Sequence, residues 1–281
     1  MITNYLVVGP TGIGKTDFAE KLALEQGGEI INADLGQMYT KLTIGVAKPN
    51  WQASPIVQHM FDILDKPVNY TASDWRQALV KLIGKINGSG KPVIIVGGSH
   101  FYIQSLLFPP QAMPKITVKA SGTWQQLQAI DPQRAAVINP NDQYRIERAL
   151  AIYHATGRKP SEFEPVYNPP WPHHWPYQLI VLSRTADDLK QRLALRYQLM
   201  IKDGWWQEAK ALKGTDWEEF VCKKGFIGYQ ELMAAPNGSC VQEQIVQQTW
   251  QYARQQQKFI KALINKLSAQ ISGAEIVLQN L

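Results

Sequence analysis

The stretch YLVVGPTGIGKTDFAEKLA, residues 5–23, decides the fold. It begins with a short apolar run, Tyr5 to Val8, with β-branched character. Gly9 to Thr16 then read G-P-T-G-I-G-K-T, and Asp17 to Leu24 carry apolar residues at helical spacing. Strand, glycine loop and helix in that order are the setting in which G-x-x-x-x-G-K-[ST] is a phosphate-binding loop. Gly9, Pro10, Thr11, Gly12, Ile13, Gly14, Lys15 and Thr16 would then wrap a phosphate. Backbone N–H groups and the positive end of the helix face its oxygens. Lys15 adds a point charge, and the Thr16 hydroxyl is the usual ligand of a magnesium ion. The loop says that a phosphorylated ligand is held. It leaves open whether a nucleotide is split, a small molecule is phosphorylated, or a diphosphate departs.

Outward from this stretch, strand and helix alternate. Glu29 to Ala33 suits a second strand ending at Asp34. Pro92-Val93-Ile94-Ile95-Val96 is a continuous apolar run bounded by glycines, as in a strand buried on both faces of a parallel sheet. Thr71 to Ile86, with Trp75, Leu79 and Leu82 at helical intervals, is the helix that feeds it. The expected fold is α/β, a phosphate-loop parallel-sheet core flanked by helices. From Phe108 the chain becomes proline-interrupted. Trp124 to Ile130 and Gln143 to Thr156 read as helices, and five prolines punctuate Pro165 to Pro176. A strand returns at Tyr177 to Leu182, followed by long helices at Thr185 to Lys202 and Gln242 to Leu267. The expected organisation is a core of residues 1–107 and 177–281 carrying a small, mainly helical insertion, 108–176.

Composition sets the class. The 281 residues are 45% hydrophobic and 19% charged, ordinary for a globular chain. The net charge of +6 fits an anionic partner such as RNA or a phosphorylated metabolite, and also a merely basic protein. Two cysteines, Cys222 and Cys240, make neither a disulfide framework nor a zinc cluster, so a reducing compartment is expected. Nothing reads as a signal peptide or a membrane span, and the expected location is the cytoplasm.

Other residues qualify the chemistry. Asp34, at a strand end where ligands collect, could take a proton from an acceptor or simply form a turn. In "NADLGQMY" its neighbours Gln37 and Tyr39 could meet a ring or amide edge. The strand 92–96 runs into "GGSHFY" rather than an aspartate, which argues against nucleotide hydrolysis. Ser99 instead offers a hydroxyl beside the loop. Arg145 and Arg148, and likewise Arg192 and Arg196, share a helix face and could grip phosphate or pair locally with carboxylates such as Glu147.

Taken together, "GPTGIGKT", "INADLGQMY", "IGVAKP", "HMFDILD", "VIIVGGSHFYIQSLL", "NPNDQYRIERALAIYHATG" and "GYQEL" resemble the tRNA dimethylallyltransferases, from about Tyr5 to Phe259. The resemblance implies transfer of a dimethylallyl group from dimethylallyl diphosphate to N6 of adenosine 37, in the anticodon loop of tRNAs reading codons that begin with U. It implies Asp34 as general base, and Lys15, Thr16 and Mg²⁺ around the departing diphosphate. Ser99 stands where the family has threonine, and Arg196 matches an arginine associated with the diphosphate. Asp34, Leu35, Gly36 and Gln37 fall beside the target base, and Tyr144, Arg145 and Arg148 in the segment that contacts tRNA. The chain is expected to act as a monomer, without a membrane.

Departures from the family pattern cluster on the RNA side. Leu35 and Gly36 replace a serine and a methionine, and His100 a glycine. Val137 and Asn139 replace an arginine and a histidine. Trp250 and Gln255 replace two arginines, and Phe259 a tryptophan. The stretch between Leu107 and Asp131 is shorter than usual. A small-molecule kinase on the same core, and a catalytically degenerate RNA-binding relative, are the competing readings.

Overall fold

The structure is a computed structural model that describes residues 2–108, 116, 118, 120–163, 177–270 and 275–281. In chain order its elements are β1 (Asn4–Val8), α1 (Lys15–Gln26), β2 (Glu29–Asn32), β3 (Gln58–His59), α2 (Ala72–Gly88), β4 (Val93–Val96), α3 (His100–Leu107), α4 (Trp124–Ile130), α5 (Pro132–Ala136) and α6 (Gln143–Thr156). Then follow β5 (Tyr177–Ser183), α7 (Ala186–Lys202), α8 (Trp205–Leu212), α9 (Asp216–Lys224), α10 (Tyr229–Ala234), α11 (Gln242–Gln270) and β6 (Glu275–Asn280). The chain divides into two compact units. One is Met1–Gln104 with Trp171–Leu281, and the other is Ser105–Pro170.

The first unit holds a six-stranded sheet in the order β3-β2-β4-β1-β5-β6. Every pairing is parallel, with Leu6 opposite Ile95 and Leu179, and Ile31 opposite Ile95 and His59. The apolar run Val93–Val96 is buried at every position, as a strand covered on both faces requires. The crossover from β3 to β4 is made by a helix whose start the sequence marks. The helix expected from Thr71 runs over Ala72–Gly88, and Thr71 caps it: its hydroxyl accepts from Asp74 N, while the Asp74 carboxylate accepts from Thr71 N. Thr185 caps α7 through its side chain alone, which accepts from Asp188 N. Sheet residues Val7, Ile30, Ile94 and Ile180 pack with Ala19 and Ala23 of α1, Leu189 and Leu193 of α7 and Ala253 of α11. A second cluster joins α8, α9 and α10 around Trp205, Trp217 and Tyr229.

On α2, Trp75 is fully buried and stacks on Tyr102 with ring centroids 5.1 Å apart. Its indole N–H donates to Asn32 O at 3.1 Å, tying the helix to the end of β2.

The second unit has its own core of Leu127, Ala135, Ile138, Ile146, Ala149 and Leu150. Asp131 is buried there, and its carboxylate accepts from Arg134 N (3.0 Å) and Ser161 N (2.7 Å), joining the start of α5 to a 3-10 turn over Pro160–Phe163. Helices α4 and α6 have the bounds expected from the sequence. The rest of the proline-rich segment, 164–176, lies outside the described residues.

The α/β class and the strands at β1, β2, β4 and β5 agree with the sequence pattern. Elements that the pattern does not announce are β3, β6, α3, α5 and α8 to α10. They are short, and β6 is a largely exposed edge strand with no apolar alternation to mark it. Replacing Trp75 with alanine removes the largest buried side chain and an indole donor. The variant is expected to lose about 3–5 kcal/mol in denaturant unfolding.

Candidate active site

The phosphate loop turns on glycine. Gly14 has φ 103°, a backbone that side-chained residues rarely adopt, and it starts α1 so that the helix N-terminus faces the loop. Arg184, just after β5, donates to Ile13 O at 3.0 Å, and Arg192 of α7 donates to Gly12 O at 3.1 Å. Two arginines thus brace the loop through its carbonyls. Arg184 is balanced by Asp188 at 3.0 Å.

Inside the loop, Lys15 Nζ donates to Gly9 O (3.1 Å) and Pro10 O (2.9 Å). Thr11 N donates at 2.6 Å to the side-chain oxygen of Gln256 on α11, and the amide of Gln256 donates at 3.0 Å to Gly98 O. Gln256 is buried and joins the loop to the turn after β4. A methyl group built on Gly98 would stand 2.8 Å from that amide nitrogen, 3.6 Å from Lys15 Nζ and 3.8 Å from Asp34 Oδ2. Three side chains therefore crowd one point.

Asp34 is placed by its own strand. The buried Asn32 side chain accepts from Asp34 N (2.9 Å) and donates to Asp34 O and Met60 O (3.0 Å each), satisfying the turn that leaves β2. The Asp34 carboxylate accepts from Gly36 N at 3.1 Å. Ser99 Oγ accepts from Leu35 N at 3.0 Å, while Ser99 N donates to Ala33 O at 3.2 Å. With its oxygen engaged by Leu35, the Ser99 hydroxyl keeps its own proton to offer.

Burial pushes the Asp34 carboxyl above its usual range, and Lys15, the Gly36 N–H and Arg196 pull part of the way back. Burial lowers Lys15 to about 8, which Asp34 opposes and Arg196 reinforces. Arg196 is lowered by burial and held up by Asp34. The three charges sense one another, yet Asp34 makes no direct ion pair among the described residues. The space between them is open: a cavity of 460 Å³ is lined by Lys15, Thr16, Asp34, Gln37 and Arg196. An adjoining cavity of 570 Å³ shares Asp34 and Arg196 and adds Leu35, Gly36, Ser99 and the half-apolar wall of Tyr197, Trp205 and Tyr252. Tyr252 is pushed up to about 12 by burial and by the Asp34 charge, so it stays a neutral phenol.

The first unit thus brings together the loop, Asp34, Leu35, Gly36, Gln37, Ser99 and Arg196. Tyr144, Arg145 and Arg148 lie in the second unit. Tyr144 is 78% exposed, Arg148 is exposed, and Arg145 pairs with Asp142 at 3.0 Å. Glu147 accepts from Gln143 instead of pairing with an arginine. The departures near Asp34 are structural partners: the space beside Gly36 is filled by Val46, whose Cγ1 would lie 2.5 Å from an added Cβ. Sequence reasoning missed Arg184, Gln256 and Tyr252. No spacing rule links Thr11 to a glutamine 245 residues later. The one visible mark of Tyr252 and Gln256 is the company of "QYARQQQ" in the last helix, and Arg184 has none.

Lys15 yields a signed pH dependence. An anion in the loop favours the ammonium, so binding inorganic diphosphate above about pH 8 must take up a proton there. Calorimetry in buffers of different ionisation enthalpy should show that uptake approach one proton, and Lys15→Met should lack it. Equal uptake in both proteins would remove Lys15 from the anion site.

Comparison with known proteins places the fold and the family. Residues 37–263 match the family described as IPP transferase. The tRNA dimethylallyltransferase 1 of Citrifermentans bemidjiense is 35% identical over 264 residues, covering 88% of this chain and 85% of that protein. The tRNA dimethylallyltransferase of Geobacter sulfurreducens is 32% identical over 274 residues, covering 89% and 86%. Among solved structures, a eukaryotic dimethylallyltransferase acting on tRNA superposes with a TM-score of 0.78 at 25% identity, over 100% of this chain and 74% of its own. The tRNA delta(2)-isopentenylpyrophosphate transferase of Staphylococcus epidermidis shares the fold, with a TM-score of 0.59 at 24% identity over 99% and 93%. This chain belongs to the IPP transferase family.

Proposed function

We propose that this protein is a tRNA dimethylallyltransferase that moves a dimethylallyl group from dimethylallyl diphosphate to N6 of adenosine 37 in the anticodon loop, releasing diphosphate. The observation that carries the reading is the convergence of Asp34, Lys15 and Arg196 on one cavity at the mouth of the phosphate loop. Membership of the IPP transferase family favours it over a kinase, and the intact charged site favours it over a degenerate relative.

The chemistry follows from the placement. The loop N–H groups, Lys15 and Arg196 bind the diphosphate and take up the charge that grows on it as the C1–O bond breaks. N6 of adenine forms the new bond to C1, and its proton passes to the Asp34 carboxylate. A base buried enough to be raised above the usual aspartate range accepts that proton more readily than an exposed one. Ser99, its hydroxyl proton free, can donate to a diphosphate oxygen. To be reached at all, the base must leave its stack, as for other enzymes that modify bases.

The donors present fit magnesium. Among the described residues no group of three or more His, Cys, Asp or Glu converges. The Thr16 hydroxyl lines the diphosphate cavity, which suits a hard cation held mainly by phosphate oxygens and water. Bound there, the ion would supply further charge neutralisation on the leaving group.

The reading includes tRNA contact by Tyr144, Arg145 and Arg148 in the second unit, action as a monomer, and residence in the cytoplasm. No helix among the described residues is long and apolar enough to cross a membrane.

The test is a transfer assay with labelled dimethylallyl diphosphate, Mg²⁺ and unmodified tRNA, followed by nucleoside mass spectrometry. N6-dimethylallyladenosine is expected from the wild type. Asp34→Asn should lower the rate at least about a hundredfold while binding diphosphate normally. Because Asp34 must be ionised, the wild-type rate should fall on the acid side at a pH above the usual aspartate value. Formation of ADP from ATP in place of the prenylated base would overturn the reading in favour of a kinase.

A further inference from the structure

We infer that Glu208, which lines neither cavity, is the positioning residue that fixes how Gln37 meets the acceptor base. The inference rests on the acceptor reading above and adds a source of base discrimination to it.

Glu208 lies on α8, and its carboxylate accepts from three consecutive backbone N–H groups: Thr43 at 3.0 Å, Ile44 at 2.7 Å and Gly45 at 3.0 Å. A fourth bond comes from the Tyr229 hydroxyl at 2.6 Å. Four donors on one carboxylate make an anchor, not a surface contact. The loop also packs closely: a Cβ built on Gly45 would lie 2.1 Å from Trp205 Nε1 and 2.5 Å from the Tyr229 oxygen. At its far end Lys48 donates to Tyr39 O at 2.8 Å and pairs with Asp62. Between these ties Ala47 is held at φ 46°, in the left-handed region that alanine disfavours.

The product of this restraint is a pair of carbonyls. Val46 O and Ala47 O accept from the side-chain nitrogen of Gln37 at 3.2 and 3.1 Å. Two carbonyl partners settle which end of the amide is nitrogen. Both N–H donors are spent, so Gln37 has only its carbonyl oxygen to offer. That oxygen is a pure acceptor on a side chain that lines the cavity with Asp34. An exocyclic amine brings two N–H bonds. One proton can go to Asp34, and the second can be held by Gln37. A base without that amine leaves the Gln37 oxygen and the Asp34 carboxylate without a donor. The chain of causes runs from Glu208 through backbone 43–47 to the Gln37 amide, and only the last member touches substrate.

The experiment compares two anticodon stem-loop RNAs in the presence of inorganic diphosphate, one with adenosine and one with purine riboside at the acceptor position. Purine riboside lacks only the exocyclic amine. Wild type is expected to bind the adenosine RNA about tenfold tighter, the value of one well-formed hydrogen bond. Glu208→Gln places N–H groups against the backbone donors and should reduce the ratio to within about twofold. Gly45→Ala disturbs the same loop without touching the carboxylate, and should do the same. Diphosphate affinity, read alongside, should change by less than about twofold in both, a result that general unfolding would not leave intact. Retention of the tenfold ratio in a folded variant would overturn the role of Glu208. Equal binding of both RNAs by wild type would overturn the role of Gln37. Failure of wild type to bind either RNA would instead overturn the acceptor reading, and the inference with it.

Discussion

A carboxylate buried beside two cations without pairing to either is the constraint on which the rest of this structure depends. Asp34 would be more stable salt-bridged or solvated; here burial raises it, and burial also lowers Lys15 to about 8. Such an arrangement persists only where the surroundings over-determine it. They do so here. Asn32 spends its whole side chain on the turn at Asp34, Gly36 and Ser99 hold the following residues, and Gln256 ties the phosphate loop to Gly98. The space that stays open between the charges is the space in which a diphosphate and a nucleophile can meet.

The sheet explains why these groups converge. Parallel strands present their C-terminal ends along one edge, and β1, β2 and β4 end side by side. The first delivers the phosphate loop, the second Asp34, and the third the Gly97–Gly98–Ser99 turn. Helix α7 then lays Arg192 and Arg196 across the loop, and α11 adds Tyr252 and Gln256 from near the end of the chain. A helical layer built on Trp205, Trp217 and Tyr229 holds the segment that orients Gln37. In the proposed reading, chemistry is carried by strand ends, and selection by a loop braced from behind.

Legibility in the sequence followed the range of the interactions. The phosphate loop, the buried strand Val93–Val96 and the capped helices at Thr71 and Thr185 are local patterns, and each lies where its residues point. Asp34 was legible as a candidate because a strand end is a place for ligands, and Arg196 because it shares a helix face with Arg192. The bonds of Gln256 to Thr11 and of Glu208 to residues 43–45 were not legible. They span 245 and 163 to 165 residues, and a glutamine or glutamate on a helix looks like a solvated side chain. Gly36 read as a departure from a pattern; in the fold it is the room that Val46 occupies.

The central claim is electrostatic, and the most direct measurement is the titration of the Asp34 carboxyl by carbon-13 NMR in the free protein. The expected pKa lies above the ordinary aspartate range and rises further in Arg196→Met and in Lys15→Met, because each cation lowers it. An ordinary or depressed value, unmoved by either substitution, would contradict the claim that Asp34 is a buried proton acceptor poised between those charges.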